Sequence, residues 1–347
     1  MKSGALLGRT VSFAVAGILT AVAPALPAQD QTFDLKISTW VPPAHPLQKS
    51  LEEWGASVEK DSNGTLRSKV YPSQQLGKAF DHYDMARDGI ADFTYVNPGY
   101  QPGRFPVIGV GELPFLISDA KAGSRALDAW YRKYAEREMK DVKFCFAFVH
   151  DPGSFHSRTK KIMVPEDISG MKIRPSNATM ATFVTMLGGT NVQSSAPEVR
   201  DIIEKGVADA VAFPWGSVPL FGIDKVTKYH MNAPLYTNVF VMAFSKSRYN
   251  RMSDAQKKVI DNHCTTEWAG KIADPWADFE HGGIAKIAAE EGHEVYPISD
   301  AQLAAWRQAA QPLHKSWADN VRKVGYDPDA VLRELEEALD RQGALAK

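Results

Sequence analysis

The feature that most limits the fold of this chain is a repeated alternation between strand and helix patterns. "DLKIST" alternates apolar and polar residues like a strand, and "LQKSLEEWGASVEKDS" then carries apolar residues at helical spacing. An "NG" pair closes this helix before the next strand pattern, "TLRSKVYP". Because the same alternation continues almost to Lys347, we expect an α/β fold with largely parallel sheets.

The amino terminus has the layout of a secretory signal. Lys2 and Arg9 precede an apolar run, and the segment closes on small residues in "ALPAQD". We predict cleavage after Ala28, so that residues 1–28 are a signal peptide and the exported chain has no stable membrane insertion. About 320 residues then remain, which exceeds the usual size of one core and predicts two domains.

Charge and motifs narrow the class of function. The formal net charge is −1 at pH 7, which gives no reason to expect nucleic acid or an anionic membrane as a partner. The chain carries no HExxH, GxSxG, Walker loop or complete GxGxxG. His150 and His156 lie six residues apart around a turn, a spacing that no common two-histidine metal motif requires. We therefore expect a protein that is not an enzyme and has no catalytic residues, cofactor or metal site.

The chain has two cysteines, Cys145 and Cys264. Export would permit a disulfide between them, but two cysteines do not make a disulfide framework. The sequence leaves their pairing open, and it favours two packed thiols.

Two segments share one pattern, which locates candidate binding residues. "YDMARDGIADFTYVNPG" and "VRDIIEKGVADAVAFPWG" each read as a short helix, a glycine stop, a strand and a proline turn. If each belongs to a separate α/β lobe, both strands end at a carboxyl edge, where open α/β sheets bind ligands. Asn97 and Tyr100 would then lie at one rim, and Phe213 and Trp215 at the other.

Three segments are candidates for crossings between the lobes. The strand "VKFCFAFVH" is followed by the break "DPGSFHS", and "YTNVFVMAFSK" resembles a second crossing strand. A long helical pattern over residues 254–291 is the third candidate. The predicted lobes are residues 29–151 with about 240–279, and residues 152–239 with about 280–347, which include the carboxy-terminal helices.

Arg174 occupies an unusual place in "GMKIRPSNATMATFVTMLGG". It ends a short apolar strand, and Ser176 and Asn177, both good helix caps, follow at once. Buried arginines pair with an internal acid, or they bind a ligand carboxylate through a two-point fork. Because a helix amino terminus beside a strand's carboxyl end attracts anions, the position favours ligand binding.

Five motifs in order along the chain identify a resemblance: "YPSQQLG", "GIADFTYV", "LPFLISD", "VPEDISGMKIR" and "SAPEVRDIIEKGVADA". Together they resemble the DctP-type substrate-binding proteins of tripartite ATP-independent periplasmic (TRAP) transporters. The resemblance implies a two-lobed periplasmic binding protein fold with crossing strands and a long lobe-spanning helix. It also implies a periplasmic receptor that closes over an organic acid and delivers it to the small and large membrane permease subunits.

The resemblance also implies which residues contact the ligand. The arginine of the "GMKIR"-like motif, which binds the carboxylate in this family, is Arg174 here. Where relatives read "DGQENP" this chain reads "DAVAFP", so Phe213 replaces a ligand-binding asparagine. The aligned position for a second arginine of some members is Ser154, within one residue. The other implied contacts are Trp40, Asn97, Tyr100, His156, Trp215, Tyr236 and Asn238.

Compared with a sialic-acid site, this set has lost an arginine and an asparagine and gained two aromatic residues. We therefore expect a monocarboxylate with an aromatic or branched apolar tail. The alternative ligands are a C4-dicarboxylate or a small hydroxy or keto acid, for which His156 or Arg104 would supply the second cation. The alternative functions are a periplasmic ligand sensor or an enzyme on the same scaffold.

Overall fold

Two β-sheets make up the framework of the computed structural model, which describes residues 31–347 and, before them, only Met1, Gly4 and Gly8. The predicted signal peptide lies outside the described residues. The strands are β1 (Phe33–Ser38), β2 (Leu66–Tyr71), β3 (Phe93–Val96), β4 (Lys143–Val149), β5 (Ser154–Ser157), β6 (Lys172–Arg174), β7 (Thr190–Asn191), β8 (Ala210–Phe213), β9 (Tyr229–Asn232), β10 (Val239–Phe244) and β11 (Glu294–Pro297). One sheet has the order β2-β1-β3-β10-β4, and the other has the order β11-β9-β5-β8-β6-β7.

Helices cover both sheets. They are α1 (Pro46–Asp61), α2 (His82–Arg87), α3 (Ala120–Glu138), α4 (Ala178–Met186), α5 (Val199–Glu204), α6 (Ser217–Leu220), α7 (Lys246–Asn250), α8 (Asp254–His263), α9 (Thr266–His281), α10 (Gly283–Ala288), α11 (Asp300–Lys323) and α12 (Pro328–Gln342). Every residue of β3, β8 and β10 is buried, as expected for strands with helices on both faces. The sequence prediction of an α/β fold is confirmed.

The two segments that share one pattern adopt the same local structure in different sheets. A short helix ends before Gly89 or Gly206, and each glycine has a left-handed backbone, with φ of 72° and 70°. That conformation strains any residue with a Cβ, which explains the glycine stop. The strands that follow are β3 in the five-stranded sheet and β8 in the six-stranded sheet. The carboxyl ends of β3 and β8 lie at the edges of the two sheets that face each other.

The chain passes between the sheets between β4 and β5, returns between β9 and β10, and reaches the six-stranded sheet again at β11. The expectation of largely parallel sheets is wrong for the crossing strands. β10 is antiparallel to β3 and β4, and β5 is antiparallel to β8 and β9. A strand that enters a sheet from the shared edge must run against neighbours that end there.

The long helical pattern over residues 254–291 forms three helices in succession, α8, α9 and α10. The first ends at His263 with Cys264 as its cap, and Thr265 begins the second, because its side chain accepts a hydrogen bond from Trp268 N at 3.3 Å. Gly282 separates α9 from α10. A side-chain cap of this kind interrupts a helix while leaving the apolar spacing unchanged.

Cys145 and Cys264 form a disulfide, so the expectation of two packed thiols is wrong. Cys145 lies on β4 and Cys264 lies at the end of α8, with a sequence separation of 119 and 4.3 Å between their Cα atoms. Because the contact depends on how α8 packs near β4, nothing local to either cysteine reveals it.

Candidate functional site

A cavity lies where the carboxyl ends of strands from both sheets meet. Six residues predicted from the sequence line it: Trp40, Tyr100, Arg174, Phe213, Tyr236 and Asn238. Its interior volume is ≈30 Å³, which leaves room for about one water molecule. A larger organic molecule therefore enters only if the side chains on the two sides move apart.

Arg174 is the charged residue of this cavity and is only 1% exposed. Its Nε and Nη2 donate to the backbone oxygen of Ser194 at 3.1 and 3.0 Å. Within residues 31–347, no Asp or Glu oxygen lies within 4 Å of its guanidinium. The local structure follows the prediction, since Arg174 ends β6 and Asn177 caps α4 by accepting from Met180 N at 2.8 Å.

Tyr100 connects the two sides of the cavity. It lies in the turn after β3, on the five-stranded side. Its hydroxyl oxygen accepts from Arg174 Nη2 at 3.0 Å and from the backbone nitrogen of Ala196 at 3.0 Å. Because both of these groups are donors, the hydroxyl proton of Tyr100 is left to point elsewhere.

Aromatic rings form most of the wall on the five-stranded side. Trp40 stacks on Tyr95 with ring centroids 4.8 Å apart, and its Nε1 donates to Tyr95 O at 3.2 Å. Phe240 lies 6.3 Å from Trp40 and 5.1 Å from Trp276. From the six-stranded side, the ring of Phe213 lies 5.8 Å from Cζ of Arg174. These contacts fix the rings in place and make the wall rigid and apolar.

Trp276 is held by a buried acid on the same helix. Its Nε1 donates to Glu280 Oε1 at 2.6 Å, and Glu280 Oε2 accepts from the backbone nitrogens of Gly216 and Ser217 at 2.5 and 3.1 Å. Burial raises the pKa of Glu280 to about 7. The carboxyl group therefore ties α9 to the turn that follows β8.

Polar groups gather on the opposite side of the cavity. The hydroxyl oxygens of Ser176 and Tyr236 are buried and have no hydrogen-bond partner among residues 31–347. Burial raises the pKa of Tyr236 well above its ordinary value, so it stays protonated. Asn238 Oδ1 accepts from Asn177 Nδ2 at 2.7 Å. Two hydroxyl donors and the guanidinium are thus available on one side.

His45 and His150 also line the cavity, and the sequence did not predict either. His150 donates from Nδ1 to Asp151 O at 2.5 Å and accepts at Nε2 from Asn238 N at 3.1 Å, so both of its nitrogens are engaged. Burial lowers the pKa of His150 to about 4. His45 caps α1 by accepting from Leu47 N at 3.1 Å. The signal for His45 was its place immediately before Pro46 at a helix start.

The structure does not bring the other four predicted residues to the cavity wall. Asn97 caps the turn before Tyr100, accepting from Gly99 N at 2.9 Å. Ser154 is fully buried on β5, opposite Phe213 in the strand pairing. His156 bonds to Phe213 O at 3.0 Å, and Trp215 packs edge-on against His156 with 4.9 Å between ring centroids. These side chains support the wall from behind.

One group of possible metal ligands occurs among the described residues, outside the cavity. Asp119, Asp151 and His281 each place one ligand atom within 4.8 Å of the others. Local structure accounts for this grouping. Asp119 accepts from Ala122 N at 2.7 Å as the cap of α3, and Asp151 pairs with His281.

Three solved structures of TRAP solute binding proteins are similar to this chain. One, from Rhodoferax ferrireducens T118 in complex with copurified benzoate, has a TM-score of 0.84 and 29% identity, over 90% of this chain and 99% of that chain. A second, from a marine metagenome, is specific for aromatic acid ligands and contains 3-hydroxybenzoate. It has a TM-score of 0.83 and 31% identity, over 90% of this chain and 99% of that one.

The third structure is a TRAP periplasmic solute binding protein from Bordetella bronchiseptica with bound (R)- and (S)-mandelate. It has a TM-score of 0.83 and 26% identity, over 89% of this chain and 99% of that chain. Like these two-lobed proteins, the chain has the periplasmic binding protein fold.

The sequence also matches a family model. The model for bacterial extracellular solute-binding protein, family 7 (DctP), matches residues 37–320. Among the described residues, no helix has both the length and the apolar character that crossing a membrane requires. The members of this family are solute-binding proteins of transport systems rather than enzymes. The chain belongs to the DctP family of bacterial extracellular solute-binding proteins and is a TRAP solute-binding receptor.

Proposed function

We propose that this receptor binds a monocarboxylate with an aromatic or apolar body, holds its carboxylate at Arg174, and delivers it to a TRAP membrane permease from the periplasm. The observation that carries the proposal is a buried guanidinium with no acid within 4 Å among residues 31–347. A carboxylate from outside completes the ion pair.

The energetics of Arg174 support this role. Moving a cation out of water is costly unless an anion and hydrogen bonds compensate it. A neutral backbone oxygen, that of Ser194, accepts from two of its nitrogens and compensates only partly. A carboxylate offers two oxygens in the plane of the guanidinium and forms stronger, charge-assisted bonds.

The hydroxyl groups around Arg174 favour the same ligand group. The uncommitted proton of Tyr100, together with the unpartnered hydroxyls of Ser176 and Tyr236, can be donated to carboxylate oxygens. Tyr100 already accepts two hydrogen bonds and can only donate, so the ligand group that contacts it must be an acceptor.

The cavity wall argues against a second carboxylate. Apart from Arg174, no Lys or Arg among the described residues lines the cavity. Arg104, considered above as a second cation, instead pairs with Asp84 at 2.8 Å and lies over the ring of Tyr83. His156, the other candidate, bonds to Phe213 O and is buried behind the wall. A C4-dicarboxylate would leave one charge buried against aromatic rings.

The ligands of the similar structures agree with this selection. Benzoate, 3-hydroxybenzoate and mandelate each carry one carboxylate and one aromatic ring. The rings of Trp40, Phe240 and Trp276 would pack against such a body and exclude water from the ion pair.

Genes for the two permease subunits beside the gene for this chain would support transport, whereas a sensor gene there would favour ligand reporting.

A thermal-shift panel tests the ligand class. We expect benzoate and mandelate to stabilise the protein, by about 2.7 kcal/mol at 100 times the dissociation constant. Benzamide has nearly the shape of benzoate without its charge and serves as the control that should not stabilise. Stabilisation by succinate or malate, with none by the aromatic acids, would overturn the proposal.

A further inference from the structure

His45 is a cavity residue whose hydrogen-bonding capacity is only half used. It is the cap of α1, and its Nδ1 accepts from the backbone nitrogen of Leu47 at 3.1 Å. The side chain is buried, with 2% of its surface exposed, and it lines the same cavity as Arg174. Its second ring nitrogen, Nε2, makes no hydrogen bond within residues 31–347.

The capping bond determines where the proton of His45 lies. A backbone N–H can only donate, so Nδ1 must present a lone pair. Burial, with a smaller contribution from the neighbouring His150, lowers the pKa of His45 to about 3, so the ring is neutral in the neutral pH range. A neutral ring with a lone pair on Nδ1 carries its proton on Nε2. His45 therefore has one N–H donor to offer.

The surroundings of this donor are apolar. The ring of Trp276 meets His45 edge-on at 4.8 Å between centroids, and Phe279 lies at 6.4 Å. Neither ring offers a conventional acceptor. Because Nε2 has no acceptor within residues 31–347, an acceptor delivered by a ligand would bind more tightly than an apolar group of the same size.

A continuous series of ring contacts separates His45 from Arg174. Tyr100, which bonds to Arg174, lies 5.9 Å from Trp40; Trp40 lies 6.3 Å from Phe240; and Phe240 lies 5.1 Å from Trp276, which contacts His45. An aromatic acid held by its carboxylate at Arg174 would lie along these rings. Its far side would face the imidazole.

We propose that His45 is a specificity-determining residue, which donates from Nε2 to an oxygen acceptor that the ligand carries on the side away from its carboxylate. This inference rests on the proposed function and extends it. It assigns the site to aromatic acids with a ring hydroxyl, ether or carbonyl oxygen, in preference to unsubstituted ones.

Pairs of benzoates with matched size test the assignment. Titration calorimetry would compare hydroxybenzoate with methylbenzoate, each substituted at the meta or the para position. A methyl group has nearly the size of a hydroxyl but accepts no hydrogen bond. In the unmodified protein we expect the hydroxy acid to bind about fivefold more tightly at one or both positions.

The matched variants are His45→Asn and His314→Asn. Asparagine is a good helix cap, so the first variant keeps the start of α1 and removes the imidazole N–H. We expect the hydroxy-to-methyl affinity ratio to fall to about 1 in His45→Asn. We expect it to keep its value in His314→Asn, since His314 lies on α11 outside the cavity lining.

The outcomes separate the two proposals. If no aromatic acid binds, the proposed function fails. If the aromatic acids bind but the unmodified protein does not distinguish hydroxyl from methyl, only the role of His45 is overturned. A preference that persists in His45→Asn would also overturn it, because another group would then read the substituent.

Discussion

The two sheets contribute opposite chemistry to the cavity. The five-stranded sheet and its connections bring rings, with Tyr95 and Phe240 stacked at 5.0 Å and Tyr95 and Phe148 at 6.0 Å behind Trp40. The six-stranded sheet brings Arg174 and buries His156 and His230 behind it. Apart from the Nε2 donor of His45, the first side is complete without a ligand, whereas the second contains a charge that lacks its counterion.

This difference divides the work of recognition between the two sides. Apolar rings are stabilised by burial whether or not a ligand is present, so the ring wall gains affinity through the area that a ligand covers. A buried cation is compensated only by a specific partner, so the polar side gains selectivity. Substitutions in the ring wall should therefore reduce affinity, whereas substitutions on the polar side should reduce selectivity.

The largest expected effect follows from removing the disulfide on the five-stranded side. The disulfide between Cys145 and Cys264 spans 119 residues, and loops of that length confer about 4 to 5 kcal/mol on the folded state. We expect Cys145→Ala/Cys264→Ala to lose about 4 kcal/mol of unfolding free energy in urea titrations. Neither cysteine lines the cavity, so the affinity for benzoate should not change.

Reduction provides the control for this prediction. The unmodified protein in a strong reductant should unfold at the same urea concentration as the double variant, and the variant should not respond to reductant. Equal stability of the oxidised protein and the double variant would show that the disulfide does not stabilise the fold.

The next effect concerns the polar side alone. Arg174→Lys keeps the positive charge but loses the planar fork, and its ammonium cannot reach Ser194 O, Tyr100 and a carboxylate in one plane. We expect benzoate to bind more weakly by at least about 2 kcal/mol in titration calorimetry. Arg67→Lys makes the same change at an exposed position on β2 and should bind benzoate normally. Unchanged affinity in Arg174→Lys would refute the role of the guanidinium.

Residues at the ends of strands could be predicted from the sequence because their signals are local. Arg174 ends a short apolar strand and precedes the cap Asn177, and the structure keeps both features. Tyr100 follows β3 and Phe213 ends β8, and the limits of both strands are visible as apolar runs closed by turn residues. Trp40, after β1, was implied by the resemblance instead. A carboxyl edge can therefore be located before the strand order is known.

The remaining residues depend on packing that no local pattern encodes. Trp276 lies within a helical pattern, and it reaches the cavity only because α9 crosses near Phe240. Asn97 is next to the rim, but its side chain is used by the turn itself. His156 was expected at the ligand, yet its register on β5 directs it towards His230. The disulfide could not be predicted for the same reason, since it depends on how α8 packs near β4.

The smallest expected effect concerns the histidines behind the polar side. A carbonyl oxygen can only accept, so His156 donates from Nε2 to Phe213 O and accepts at Nδ1 from His230 Nδ1 at 2.9 Å. His230 Nε2 in turn accepts from His293 Nδ1 at 2.9 Å, and His293 lies 3.7 Å from Glu290. Burial lowers the pKa of His156 to about 4 and that of His230 to about 2.

The sign of the pH dependence follows from these values. Below pH 6.5 histidines of the unfolded chain gain a proton while His230 in the folded protein stays neutral, so unfolding takes up protons and stability falls as the pH decreases. Removing the ring in His230→Asn should reduce this fall by about 1 kcal/mol between pH 6.5 and 5.5, measured by urea unfolding. Between pH 7 and 8 His230 is neutral in both states, and both proteins should show the same slope. There stability falls as the pH rises, because burial raises the pKa of Glu112 to about 8 and the folded protein retains a proton that the unfolded chain loses. An unchanged acid slope in His230→Asn would mean that the ring takes up protons in the folded state, and the polar side would then be better solvated than its burial indicates.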